Sequence, residues 1–284
     1  RAFAKTGTSA RSRRFTSLIG VAKCPSATSK VETCKRQSRS SLKRSDRQTS
    51  IRLAGPTTYD RFVRMNYFAH ALQFLDRPAF VIGTSMPDML SVVDRKMRLR
   101  SKRVDPFADG SGTFDAELAA GILQHLKDDR WFHQTRGFLV TSGELTRLFK
   151  EVLGSEDGVR CPFLGHIVTE LQLDGALAER YPDKLDEYYQ RLGEIDATAV
   201  ENSVNQMATR TSDRLAYLIG RFHEEQFLRD YQEPNRLLFR LNQVMLRVRL
   251  DPLPDEMADA LAASWSIVRD RVEELLPRDR FSFL

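Results

Sequence analysis

The first 64 residues of this 284-residue chain contain no methionine, almost no acid and no hydrophobic periodicity. Three acids (Glu32, Asp46 and Asp60) stand against 16 Lys and Arg, a balance of +13. Ser and Thr supply 18 of the first 58 residues. Such a stretch cannot bury enough apolar surface to offset the entropy of ordering it, and a disordered tail is expected over 1–64. An Arg- and Ser-rich, acid-poor leader has the composition of an organelle transit peptide. The alternative, which we favour, is a gene-model extension upstream of a true start at Met65, the first methionine.

Cysteine is equally scarce. Cys24 and Cys34 fall in the tail, leaving Cys161 as the one thiol of residues 65–284. One thiol makes neither a disulfide framework nor a cysteine zinc site, which fits a reducing compartment and a cytoplasmic location. No apolar run reaches the length of a membrane span. There is no Gly-rich phosphate loop, no Gly-x-Ser-x-Gly elbow, no helix-turn-helix pattern, no internal repeat and no convincing strand alternation. The formal net charge of +6 misleads about partners. Removing the tail leaves 28 bases and 35 acids in residues 65–284, a balance of −7, and nucleic acid is an unexpected partner for such a surface.

What is present is helical periodicity, running from Met65 to Leu276. The reading is one all-α domain over 65–284, a compact multi-helix array with short connections. Helices are expected over Tyr67 to Leu75, from Pro78 to a break near Gly83, and from a Ser85 cap with Pro87 in the first turn. Residues 100–113, with Pro106 and Asp109-Gly110-Ser111-Gly112, read as a loop. Further helices are expected over Phe114–Trp131, 135–153, Pro162–Arg180, Asp183–Leu192, Ala197–Met207, Ser212–Asp230, Asn235–Val248 and Asp255–Leu276. Glu156-Asp157-Gly158 reads as a turn.

The five histidines are His70, His125, His133, His166 and His223. His125, Asp129 and His133 run i, i+4, i+8. So do His166, Glu170 and Asp174. On a helix, residues i and i+4 share a face, so each set presents a column of nitrogen and oxygen donors. Such donors suit divalent metals, and two facing columns can hold one or two ions. His70 sits in the apolar stretch Tyr67 to Leu72 and needs a polar partner, a metal or Asp88. The same spacing is common on solvated helix faces, but Ile167, Leu171, Leu173 and Leu177 turn some of these polar groups inward. His133, at a helix end, is a second-tier ligand. Asp128 is read as solvent-facing, His223 as lying on a solvated face beside Glu224 and Glu225, and Cys161 as ordinary packing.

Met65-Asn66-Tyr67-Phe68-Ala69-His70 resembles the opening of acyl carrier protein phosphodiesterases. Gly121-Ile122-Leu123-Gln124-His125 with Asp129 is similar to that family's Gly-Ile, His and Asp segment. Gly83 to Pro87-Asp88, and Gly165-His166 with Glu170 and Asp174, resemble segments of zinc-dependent phospholipase C-like proteins. The likeness covers about Met65 to Asp129 and Gly165 to Asp174. It departs from true HD domains in having no His directly followed by Asp. The whole body also resembles uncharacterised bacterial helical proteins that begin at the equivalent of Met65. The resemblance implies an HD-like or phospholipase C-like helical fold, a divalent metal and phosphoester chemistry.

The expected function is therefore a metal-dependent phosphoester hydrolase, phosphodiesterase-like. His70, Asp88, His125, Asp129, His166 and, second-tier, His133 are the expected ligands of one or two Mn, Fe, Zn or Mg ions. Glu170 or Asp174 is the expected proton acceptor, and Lys96, Arg98 and Arg240 are the expected phosphoryl contacts. A phosphoester small molecule or a phosphopantetheinyl carrier protein is the expected partner. The rival reading is a non-enzymatic helical binding or scaffold protein whose His and acid columns are buried hydrogen-bonded pairs. Convergence of His70, Asp88, His125 and His166 on one point would favour the metal.

Overall fold

The structure, a computed structural model, describes residues 67–154 and 160–283. The expected tail and the turn at 156–158 lie outside the described residues. Every regular element among the described residues is a helix. In chain order these are α1 (Phe68–Ala71), α2 (Pro78–Val93), α3 (Ser101–Val104), α4 (Phe114–Phe132), α5 (Arg136–Leu153), α6 (Arg160–Arg180), α7 (Pro182–Gly193), α8 (Ala197–Met207), α9 (Leu215–Glu225), α10 (Pro234–Val248), α11 (Met257–Arg269) and α12 (Val272–Leu275). Short 3₁₀ segments follow α1, α3 and α9. No helix among them is long and apolar enough to cross a membrane.

Local chemistry sets most helix starts. Thr113 accepts from the Ala116 N–H at the head of α4, and Asp115 and Glu117 in its first turn complement the helix dipole. Thr135 does the same for α5 through Phe138 N–H. Asp196 caps α8 through Thr198 and Ala199. Prolines open α2, α7 and α10, where a missing N–H costs nothing.

Four boundaries differ from the sequence expectation. There is no break at Gly83: α2 runs unbroken through both Gly83 and Pro87, and Ser85 caps nothing. The Ser85 hydroxyl instead lies 3.2 Å from that of Tyr188. An interior proline disfavours a helix by about 3 kcal/mol, but α2 is apolar and buried along most of its length, and that burial outweighs the lost hydrogen bond. The expected loop at 100–113 contains α3 and a 3₁₀ turn, pinned by fully buried Val104. The expected helix Ser212–Asp230 starts at Leu215 and ends where Gln226 turns left-handed (φ 46°). The expected helix Asp255–Leu276 splits into α11 and α12. There α12 docks closely on α5, because a Cβ at Gly137 would strike the Glu274 carbonyl.

Two helix pairings organise the core. α2 lies along α4, and α5 lies along α6. The first pairing is tight because Gly83 and Gly121 face each other: a Cβ on Gly121 would run into the Phe80 carbonyl, and one on Gly83 into the Leu118 carbonyl. Gly165 gives α6 the same close approach to α5 at Ser142 and Thr146. The short α1 packs on α2, α4 and α6. α6 is buried almost all round, from Cys161 to Ala178, so each polar group along it must be satisfied by protein or by a bound ligand.

Candidate metal centre

His133 closes α4 as its C-cap, and His166 and Glu170 lie one turn apart on α6. The three meet. Glu170 Oε1 lies 2.7 Å from His133 Nε2 and 3.3 Å from His166 Nε2. One ligand atom from each of the three can be chosen so that all lie within 4.8 Å of one another, and among the described residues no other set of His, Cys, Asp or Glu does this. The two imidazoles stand with centroids 4.6 Å apart, and Phe138 presents its ring to both at 4.8 and 4.9 Å. Asp129 Oδ1 lies 3.3 Å from His133 Nδ1, on the far side of the ring from Glu170. Glu170 is 2% exposed, and its second oxygen, Oε2, is buried with no hydrogen-bond partner among the described residues. Burial alone would raise the Glu170 pKa. The charges and hydrogen bonds of His166 and His133 outweigh burial and hold it well below the usual carboxylate range.

These donors fit a divalent ion. Two nitrogens and a carboxylate are a set that Zn, Mn and Fe accept, and three protein ligands leave a position open to water or substrate. An imidazole whose other nitrogen faces a carboxylate, as His133 does toward Asp129, has its tautomer and orientation set for metal ligation. A hydrogen-bonding or metal-ligating partner is also what the buried Oε2 of Glu170 lacks among the described residues.

The other sequence candidates form a neighbouring polar chain along α4. His125 Nε2 lies 3.8 Å from Asp88 Oδ1 on α2. The His125 and His70 rings are 4.3 Å apart, and His70 Nδ1 lies 3.8 Å from Asp128 Oδ2. The expected convergence of His70, Asp88, His125 and His166 is therefore not what the structure builds: His125 adjoins both Asp88 and His70, while His166 joins Glu170 and His133. Asp128 is buried rather than solvent-facing. It accepts from Gln124 and from Arg280 of the C-terminal segment, both at 2.8 Å. Because α2, α1 and the C-terminal segment cover different sides of α4, that helix has no solvated face at Asp128. Burial acts to raise the Asp128 pKa, but His70 and Arg280 bring it down to about 2.

Asp174 has a different task from the one its spacing suggests. Its Oδ2 accepts the N–H groups of Tyr67 and Phe68 at 2.7 and 3.0 Å, and its Oδ1 accepts that of Ala69 at 2.8 Å. It thus satisfies the open end of α1 inside the core. Burial pushes this carboxyl up to about 6 against the opposing pull of those N–H groups.

Beside the triad lies an open pocket of about 410 Å³, with His133 and Asp129 in its wall. The cations lining it are Arg100 and Arg130; Lys96, Arg98 and Arg240 do not line it. Arg98 donates to the Met97 carbonyl, and Arg240 is held by Asp230 and Glu225. His223 packs against Gly193 on α7. Arg100, Arg130 and Arg280 carried no sequence signal, because isolated arginines among many follow no spacing rule. For Asp128, the spacing from Gln124 was a usable hint of a hydrogen-bonded pair at i, i+4.

The chain matches no family model, no curated protein and no solved structure in the three comparisons made.

Proposed function

We propose that the protein is a metal-dependent phosphoester hydrolase, phosphodiesterase-like, with a divalent ion held by His133, His166 and Glu170. The observation that carries the reading is the shared carboxylate: two imidazoles converge on one oxygen of a buried glutamate, and one of them, His133, also lines an open pocket. An ion held there would supply an electrophile and would lower the pKa of bound water toward neutrality. Mn, Fe and Zn suit the nitrogen donors better than Mg does. Asp129, across the His133 ring from Glu170, orients His133. Water would add to phosphorus as the ester P–O bond breaks, and the proton it loses would pass through solvent to the departing alcohol's oxygen. Glu170 acts here as ligand rather than base, since both rings turn to it. His70, Asp88, His125 and Asp128 form the adjoining polar wall and are the candidates for a second ion. A phosphoester small molecule or a phosphopantetheinyl carrier protein is the proposed partner. The cytoplasm is the proposed location, in keeping with a buried thiol, Cys161, among the described residues.

The rival reading is a non-enzymatic helical protein in which the same cluster is a buried ion-paired joint. It draws support from the 2.7 Å His133–Glu170 contact, which satisfies Oε1 without a metal. Elemental analysis of the purified full chain separates the two. The expected result is retained Mn, Fe or Zn that is lost in His166→Ala. Absence of bound metal, with no thermal shift on adding Mn, Fe, Zn or Mg, would falsify the hydrolase reading.

A further inference from the structure

The pocket beside the triad has a lopsided charge. Arg100, which precedes α3, and Arg130, in the last turn of α4, both line it. Asp129 is the one carboxylate in its wall, and it is engaged by His133. Neither arginine forms an ion pair within 4 Å among the described residues, unlike Arg77, which pairs with Glu117, and Arg271, which pairs with Glu144. Ser101 and Gln134 add neutral hydrogen-bonding groups to the same wall. Leu99 and Leu126 give it a small apolar side. A volume of about 410 Å³ is within the range of small-molecule sites.

Two arginines lining one open pocket match a ligand with more than one negative charge. Each presents a planar fork of donors suited to phosphoryl oxygens. A phosphodiester linkage carries a single negative charge and offers less to a pair of cations. We propose that this pocket binds a dianionic phosphoryl group through Arg100 and Arg130. The substrate is then a phosphomonoester, or a diester that carries a further terminal phosphate, which selects the small-molecule partner over a carrier protein with its single diester linkage, and Leu99 and Leu126 face its organic part. What happens to the bound group rests on the hydrolase reading above; the binding itself does not.

Calorimetric titration of the full chain tests this at about pH 8, where inorganic phosphate is mainly dianionic, with dimethyl phosphate as the monoanionic diester probe. It is run with added Mn and again with chelator. Inorganic phosphate is expected to bind at least about tenfold more tightly than dimethyl phosphate. Arg100→Gln and Arg130→Gln are each expected to weaken phosphate binding about tenfold, leaving metal content and melting temperature unchanged. Both side chains are exposed, so the variants are expected to fold. No phosphate binding by the unaltered chain, equal affinity for the two probes, or unchanged affinity in both variants overturns the proposal. A chain that holds phosphate through these arginines but takes no metal sinks the hydrolase reading alone. A chain that takes metal but ignores phosphate sinks the pocket alone.

Discussion

At the scale of residues, neighbours on one helix face divide the labour. Glu170 and Asp129 lie on opposite sides of the His133 ring, and the metal reading gives them different weights. Glu170→Gln removes a ligand charge and is expected to abolish tight metal binding. Asp129→Asn loosens only the support of His133 and is expected to lower metal affinity about 10- to 100-fold. Competition with a chelator of known affinity measures both, and equal losses would contradict the assignment. Asp128 makes a pH prediction. Its pKa falls from 3.8 to about 2 on folding, so its stabilisation is complete above about pH 4 and is lost as pH falls through about 2. The contribution is on the order of 1–2 kcal/mol after allowance for its partial contact with solvent. Urea titrations between about pH 2 and 5 are expected to steepen less for Asp128→Asn than for the unaltered chain. Parallel curves would show that the His70–Asp128–Arg280 contacts contribute little.

At the scale of elements, short α1 is too brief to hold itself together and depends on Asp174 for its first turn. Asp174→Ala leaves three buried N–H groups without an acceptor. The expected loss is on the order of 3 kcal/mol or more, read as a lower urea midpoint. The pairing of α2 with α4 depends on Gly83 and Gly121, where backbone meets backbone. Gly121→Ala is expected to destabilise by about 1–3 kcal/mol, because the Phe80 carbonyl cannot step aside. Gly143→Ala on α5 is the control. A Cβ there meets nothing within 4 Å, and the substitution is expected to stabilise by about 0.5–1 kcal/mol. Thermal melts that shift the same way for both variants would refute the close-approach argument.

At the scale of the whole molecule, a metal at the triad would tie the end of α4 to the middle of α6. An ion bound only by the folded chain stabilises it by about 2.7 kcal/mol at a concentration 100 times its Kd. Chelation is therefore expected to lower the melting temperature of the unaltered chain and to leave that of His166→Ala where it was. A chelator shift of the same size in that variant would place the ion elsewhere. The small pocket around His70 and Asp128, closed by Leu276 and Phe281, shows how the C-terminal segment joins the same region. Arg280 pairs with Asp128 and stacks on Trp131 at 4.2 Å, while the Tyr181 hydroxyl donates to the Phe283 carbonyl.

Sequence periodicity by itself determined the helical class, most helix spans and the two columns of histidine and acid, because these depend on contacts within four residues. The apolar neighbours of Glu170 and Asp174 also said that some of these polar groups turn inward, without saying which. Periodicity misplaced the ends around Gly83, Ser212 and Asp270, where packing overrides the local signals of proline, serine and charge. Only the tertiary structure decided which columns meet. His133, a helix-end residue by sequence, becomes the bridge between α4 and α6 because Glu170 lies opposite it. Asp174, equal to Glu170 by spacing, is taken up by the N–H groups of α1, more than 100 residues away in the chain. Helical spacing says which side chains share a face, and only the packing of one helix on another says what that face will touch.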